Sequence, residues 1–176
     1  MSEYIDQIIE HYASYFHKRA VEKVEQFDDF VVLEFSPNVR HDFWAYCTAG
    51  MSLNSLEKIE LILYSPVQDD SLVELLTMTA YYHQTHSNLG LNHSFDIGRP
   101  WLPASNATCG FISLPYLDGP EFELINVDGE IVHCYWLIPI TASERDYMTE
   151  HGVEALETLF ESKQIEFLNV SRNSLV

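Results

Sequence analysis

Positively charged residues are scarce in this sequence. It contains 9 Lys and Arg against 27 Asp and Glu, which gives a formal net charge of −18. A surface this negative repels nucleic-acid phosphates and anionic membranes, so neither is expected as a direct partner. It would favour and steer a basic protein partner. The charge is equally compatible with a regulatory or structural subunit whose acidity serves solubility alone.

Cysteine is scarce too, with three residues far apart in the chain. Cys47, Cys109 and Cys134 each lie in a run of apolar or small residues, where a free cysteine packs as a small core side chain. There is no CxxC sequence, so neither a zinc knuckle nor a redox pair is indicated. We therefore expect three core thiols and no disulfide framework.

Long apolar runs are also missing. "YWLIPI" has only six residues, whereas a membrane-spanning helix needs about 20. The N-terminal "MSEYIDQIIE" is acidic and lacks the basic-then-apolar order of a secretion signal. We expect a cytoplasmic protein. Neither a repeat nor a linker divides the 176 residues, so we expect one domain over residues 1–176.

The spacing of apolar residues predicts three helical regions. Helical periodicity covers residues 4–24, ending on Ala20 and Val24, and residues 71–86. A further helix is predicted after Thr141, with an interruption at Gly152. Two pairs have the sequence of a capping box, in which a hydroxyl and a carboxylate close the first turn: Ser71 with Glu74, and Thr141 with Glu144.

Period-two alternation predicts the strands between these helices. It is clear in "FVVLEF", "WAYCT" and "KIELILYS", and "CGFISLP" is a further candidate. "EFELINV" and "EIVHCYWLIPI" flank Asp128-Gly129, a strong hairpin signal. The latter is apolar on both faces, as a central strand would be. We therefore predict an α+β fold: a central, mostly antiparallel or mixed β-sheet flanked by helices in a single-domain sandwich. The tail from about residue 165 is predicted to be an edge strand or disordered.

Sequence motifs for catalysis are weak. Ser52 lies in "GMSLN", which lacks the second glycine of a GxSxG nucleophile turn, so we interpret it as a turn serine that caps backbone amides. There is no phosphate-binding glycine loop and no dinucleotide fingerprint. No catalytic residue and no cofactor is predicted.

Three histidines provide the alternative hypothesis of a metal-dependent enzyme. His83 and His86 share a helix face, and His93 follows across a turn. With Asp96 or Asp70 they could bind a divalent metal. Their spacing matches no zinc signature, and histidines at a helix end also complement the helix dipole. Both interpretations stay open at this point.

Candidate partner-binding residues lie in the long loop at 84–107 and in an acidic turn. Phe95, Asp96 and Trp101 would provide aromatic and acidic contacts from the loop, unless Trp101 folds back into the core. Asp118 and Glu121 would add acidic contacts from the turn.

Three segments resemble the suppressor-of-fused family in the same order. "WAYCTAGMS" followed by "IELILYSP" resembles its aromatic strand, which ends in Gly-apolar-Ser before a Glu- and Leu-rich strand. "YYHQTHSNLGLNHSFDIGRPWLP" resembles its helix end, Gly-His-type turn and Pro-rich loop. "EIVHCYWLIPITASERDYMTEHGVEALETLF" resembles its closing strand, Ile-Pro-Ile-Thr turn and helix. The resemblance covers about residues 44–163.

The resemblance implies a non-catalytic protein-binding module. The animal suppressor of fused restrains a transcription factor by wrapping a peptide between two domains, whereas we expect one domain here. Stand-alone members are typically bacterial, and some are proposed immunity proteins that neutralise a toxin encoded beside them. A basic toxin would suit the charge of this chain. The family brings no established catalytic residue.

Overall fold

The computed structural model describes residues 2–23 and 29–176. These residues form five helices and eight strands. The helices are α1 Glu3–Phe16, α2 Asp70–Thr85, α3 Pro120–Glu123, α4 Ala142–His151 and α5 Val153–Ser162. The strands are β1 Val21–Lys23, β2 Val31–Phe35, β3 Trp44–Ala49, β4 Ile59–Ser65, β5 Ser94–Asp96, β6 Ala107–Ser113, β7 Leu124–Val127 and β8 Glu130–Thr141.

All eight strands belong to one mixed sheet. The strand order is β1-β2-β3-β4-β8-β6-β5. Strand β7 is not part of this linear order and pairs with β8. The β4–β8 pair is parallel and the other pairs are antiparallel. Strand β8 pairs with β4 on one edge and with β6 and β7 on the other. The predictions of a mixed sheet and of a central strand are confirmed.

The sheet separates two hydrophobic clusters. Ala45 and Cys47 of β3 face one cluster, the α1-side cluster, which includes side chains from α1, α3, α4 and α5. Tyr46 of the same strand and Leu61 of β4 face the second cluster, the α2-side cluster, which is formed with α2 and the 84–107 loop. Successive side chains of a strand point to opposite faces, which explains this alternation. The predicted α+β sandwich is confirmed, and the three cysteines are buried as expected.

The turn between β3 and β4 is organised by the buried carboxylate of Glu60. Glu60 accepts hydrogen bonds from the backbone amides of Gly50, Met51 and Ser52 at 3.0–3.2 Å, and from the hydroxyls of Thr48 and Ser52. Burial raises the pKa of Glu60, and the hydrogen bonds from Ser52 and Thr48 oppose that rise. Ser52 is a turn residue, as predicted, but its hydroxyl binds a carboxylate and does not cap backbone amides.

The first helix is shorter than predicted. It ends at Phe16, because His17 adopts a left-handed conformation with φ 51°. The chain then enters β1, so Ala20 lies outside the helix, and Val24 lies outside the described residues. An apolar residue at helical spacing does not continue a helix once the backbone has turned.

Two further local predictions were wrong. The cap of α2 is Asp69, whose side chain accepts from the amide of Ser71, so Ser71 and Glu74 form no capping box. "EFELINV" was predicted as a strand, but its first part is the short helix α3. Pro120 fixes a helical φ at the first position of α3, and this favours a helical turn there.

The tail after α5 forms turns and no strand. Ile165, Phe167, Leu168 and Leu175 pack against the α1-side cluster. Arg172 pairs with Glu144 at 2.6 Å. The predicted capping box of Thr141 and Glu144 is present at the start of α4. No helix within residues 2–23 and 29–176 has both the length and the apolar character required to cross a membrane.

Candidate protein-binding groove

A groove of about 750 Å³ lies between α5, the β6–β8 part of the sheet and the tail. Its volume is within the range of ligand-binding clefts, about 300–1,000 Å³. Strand β8 supplies Trp136 and Ile138, and α5 supplies Phe160; all three are buried. Ile165 and Phe167 of the tail form one wall, and the ring of Phe167 stands edge-on to Trp136 at 5.1 Å. The interior of the groove is therefore apolar and largely aromatic.

The rim of the groove is acidic. Glu154, Glu157 and Glu161 of α5 line it, at positions separated by three and four residues, which lie on one helix face. The lining includes three carboxylates and, among the described residues, no Lys, Arg or His. An occupant with positive charge would therefore be favoured over a negative one.

The opposite wall exposes two large side chains. Tyr116 is 61% exposed and Leu117 is 42% exposed, both in the segment between β6 and α3. The hydroxyls of Tyr116 and Ser113 each donate to Oε1 of Glu157 at 3.1 Å. Burial and the charge of Glu157 raise the pKa of Tyr116, so its hydroxyl remains a donor. Tyr116 therefore presents an exposed aromatic ring beside the acidic rim.

The side chain of Asp118 supports this wall from inside the protein. Its carboxylate is inaccessible to solvent and lies 2.7 Å from Nε2 of His41. It also accepts hydrogen bonds from the hydroxyls of Tyr15 and Tyr64. Burial and the charge of Asp118 raise the pKa of Tyr64. Asp118 was predicted as a partner contact, and the structure places its carboxylate inside the protein as a support for the segment with Tyr116.

The other predicted partner contacts lie elsewhere. Phe95 is in β5, with its ring against Gly110, where a Cβ would approach it to 2.8 Å. Trp101 is 2% exposed and packs in the α2-side cluster. Asp96 is exposed and accepts from the amide of Gly98. Glu121 is exposed beside Arg40.

These five residues do not form one site, because Phe95 and Trp101 pack on the α2 side of the sheet and Asp118 lies on the α1 side. Contact between the five residues and a partner stays a prediction.

The three histidines of the alternative hypothesis are not assembled. Nδ1 of the buried His83 accepts from the amide of Leu89, and its Nε2 lies 3.2 Å from the carbonyl oxygen of Glu57. Nδ1 of His86 bonds the hydroxyl of Thr85, and Nδ1 of His93 accepts from the amide of Gly90. Within the described parts of the chain, no three His, Cys, Asp or Glu side chains are arranged to hold a metal ion.

The groove was not predicted from the sequence, because its walls come from segments that are distant in the chain. The signals that could have indicated parts of it are the acidic face of α5 and the apolar residues of the tail. Neither pattern indicates that α5 and the tail both lie next to Trp136.

Comparison with known proteins agrees with this architecture. The sequence matches the Suppressor of fused protein (SUFU) family over residues 27–173, and no curated protein matches it. The fold is similar to that of a protein from Neisseria gonorrhoeae FA 1090 described as a SUFU homologue. The two are 29% identical over 99% of this chain and 97% of that chain, with a TM-score of 0.88.

Two solved structures with 11% identity share the fold alone. A chain of the Sufu–Fu complex has a TM-score of 0.72, with 98% of this chain and 92% of that chain covered. Drosophila Suppressor of Fused has a TM-score of 0.69, and the match spans 98% of this chain but only 51% of that chain.

The mixed sheet between two helical layers is thus the fold of a known class of domain. The chain belongs to the suppressor-of-fused family.

Proposed function

We propose that this protein is a non-catalytic protein-interaction module, and that its groove holds part of a basic partner protein. The observation that carries the proposal is the groove itself, which combines an aromatic interior with three carboxylates on its rim. Apolar interiors with few polar groups are typical of binding sites, and aromatic side chains are favoured in protein interfaces.

Family membership supports the same class of function. A chain with this fold occurs in a complex between Sufu and Fu. Catalysis has little support among the described residues, since the hydroxyl of Ser52 is buried against Glu60 and the histidines are not grouped around a metal site. The metal-dependent enzyme is therefore the less favoured alternative.

The finer proposal is a cytoplasmic immunity protein of bacterial origin that neutralises a basic toxin. The net charge of −18 supports it, because it would steer a basic partner towards this surface. Similarity to a protein from Neisseria gonorrhoeae supports the bacterial source. The competing interpretation is an acidic subunit whose charge serves solubility alone.

Salt dependence separates these interpretations. Partners would be captured from extracts of the source cell, identified, purified and titrated into the protein by calorimetry at about 50 mM and about 500 mM NaCl. We expect a basic partner whose Kd rises by at least about tenfold at high salt, because exposed charge pairs are screened. A salt-independent partner of neutral or acidic charge would contradict the proposal. Stoichiometric zinc or manganese in the purified protein, with no partner, would favour the enzyme.

A further inference from the structure

We infer that the occupant of the groove is a polypeptide segment that lies across Tyr116. This segment carries one bulky apolar side chain, which enters the groove, and Lys or Arg residues that face α5. The inference rests on the proposed function and specifies the partner's chemistry at the same site. Three features of the structure lead to it.

The first feature is the length of the concave surface. A second depression of about 470 Å³ adjoins the groove and shares Tyr116, Glu154 and Glu157 with it. Its remaining lining includes Leu91, Leu114 and Val153. The ring of Tyr116 thus stands between two adjacent depressions. A compact small molecule would occupy one of them, whereas a peptide backbone can cross the ring and use both.

The second feature is the distribution of charge. Glu154 and Glu161 lie seven residues apart on α5, which corresponds to about 10 Å along the helix axis. An extended peptide covers that distance in about three residues. Glu157 lies between them, and the bonds from Tyr116 and Ser113 both go to its Oε1, so neither uses Oε2. We therefore expect basic residues about two to four positions apart in the segment.

The third feature is the exposed apolar surface on the wall facing α5. Tyr116 and Leu117 expose large side chains directly beside the aromatic interior of Trp136, Phe160 and Phe167. Exposed apolar surface that is rimmed by polar groups marks interaction sites on soluble proteins. A single Trp, Phe or Leu side chain from the partner would bury this surface, and fully desolvated anchors of this kind carry most of the energy of an interface.

The test uses a library of random 12-residue peptides displayed on phage and selected against the full chain. The groove variant is Glu154→Gln with Glu157→Gln and Glu161→Gln; glutamine keeps an acceptor for Tyr116 and Ser113. The control variant is Glu10→Gln with Glu74→Gln and Glu130→Gln. These three glutamates are exposed and line neither depression, so the change in net charge is the same. Circular dichroism and urea unfolding establish that both variants fold.

We expect the selected peptides to share one bulky apolar residue flanked by Lys or Arg. Their affinity for the groove variant should fall by about tenfold, the sum of three exposed pairs of modest strength. Their affinity for the control variant should change much less. Peptides without basic residues, or equal losses for both variants, would overturn the inference.

Failure of the inference about the peptide segment can be distinguished from failure of the proposed function. If no peptide is selected but the purified partner protein binds in a manner that the groove variant weakens, the groove recognises a folded surface. In that case the segment inference fails and the proposed function stands. If peptides and partner bind the groove variant as tightly as the control variant, the segment inference and the proposed function both fail.

Discussion

The guanidinium of Arg172 lies against the carboxylate of Glu144, with Nη1 2.6 Å from Oε1 and Nη2 2.8 Å from Oε2. Both side chains are buried. Glu144 also accepts from the amides of Thr141 and Leu175. Burial alone would raise the pKa of Glu144, but the hydrogen bonds from Arg172 and Thr141 outweigh it and lower the pKa. The pair thus fixes the tail, which supplies one wall of the groove, to the first turn of α4.

Replacing Arg172 with methionine should destabilise the protein strongly. The variant leaves the buried Glu144 carboxylate without its cation, which costs about 3–5 kcal/mol of unfolding free energy. Urea unfolding at neutral pH measures this loss. The double variant Arg172→Met with Glu144→Gln removes the isolated charge and should recover part of the loss. A single variant as stable as the wild type would show that the pair does not hold the tail.

Acidification should reduce the stability that His83 provides. Burial lowers the pKa of His83, and the Leu89 amide that donates to Nδ1 requires a neutral ring. Below about pH 6.5 the imidazole of His83 binds a proton more readily in the unfolded chain than in the folded chain. The free energy of unfolding therefore falls as the pH drops. Urea unfolding between about pH 5 and 8 should show a smaller fall for His83→Gln than for the wild type. Equal falls would contradict this assignment.

The carboxylate of Glu60 should be the main support of the β3–β4 turn. In Glu60→Gln one acceptor oxygen becomes an NH₂ group that faces hydrogen-bond donors, which we expect to lower the unfolding free energy by about 2–3 kcal/mol. Ser52→Ala removes one of the donors and leaves the carboxylate with four others, so it should cost about 1 kcal/mol. Both values come from urea titration. A larger loss of unfolding free energy for Ser52→Ala than for Glu60→Gln would show that Ser52 is the main support of the turn.

Tyr116 should matter for binding and little for folding. Because its ring is mostly exposed, Tyr116→Ser should change the unfolding free energy by no more than about 0.5 kcal/mol. Affinity for the purified partner should fall by about tenfold or more, since the ring separates the two depressions and faces the occupant. Leu56→Ser is the matched control, because Leu56 is 88% exposed and lines neither depression. Similar affinities for both variants would exclude Tyr116 from the interface.

Much of the sheet could be predicted from the sequence. The alternation in β3 and β4 is a period-two pattern, which backbone geometry dictates locally, and apolar residues on both faces of β8 indicated a central strand. The capping box of Thr141 and Glu144 was visible for the same reason, since its residues are three positions apart. Local patterns were less informative at element ends. Helical spacing continued past Phe16 to Ala20, and only the left-handed backbone at His17 ends α1.

The groove could not be predicted in this way. It requires the segment with Tyr116, helix α5 and the tail to meet at Trp136, and this arrangement depends on long-range contacts. Arg172 and Glu144 lie 28 residues apart, so no short motif reveals their pairing. Trp101 illustrates the same difficulty, because an aromatic residue in a polar loop can face solvent or the core, and tertiary packing decides which.

Site-specific photo-crosslinking would show directly whether the partner occupies the groove. A photoreactive amino acid would be placed at Thr158 in the groove, at Asp96 in β5, or at Met78 on α2; all three positions are exposed. Each variant would be irradiated in the source cell, and the adducts identified by mass spectrometry. We expect Thr158 to capture one basic protein, through a segment with basic residues around a bulky apolar one, far more efficiently than Met78 does. Capture of that partner only from Asp96 or Met78, with none from Thr158, would contradict the groove as the binding site.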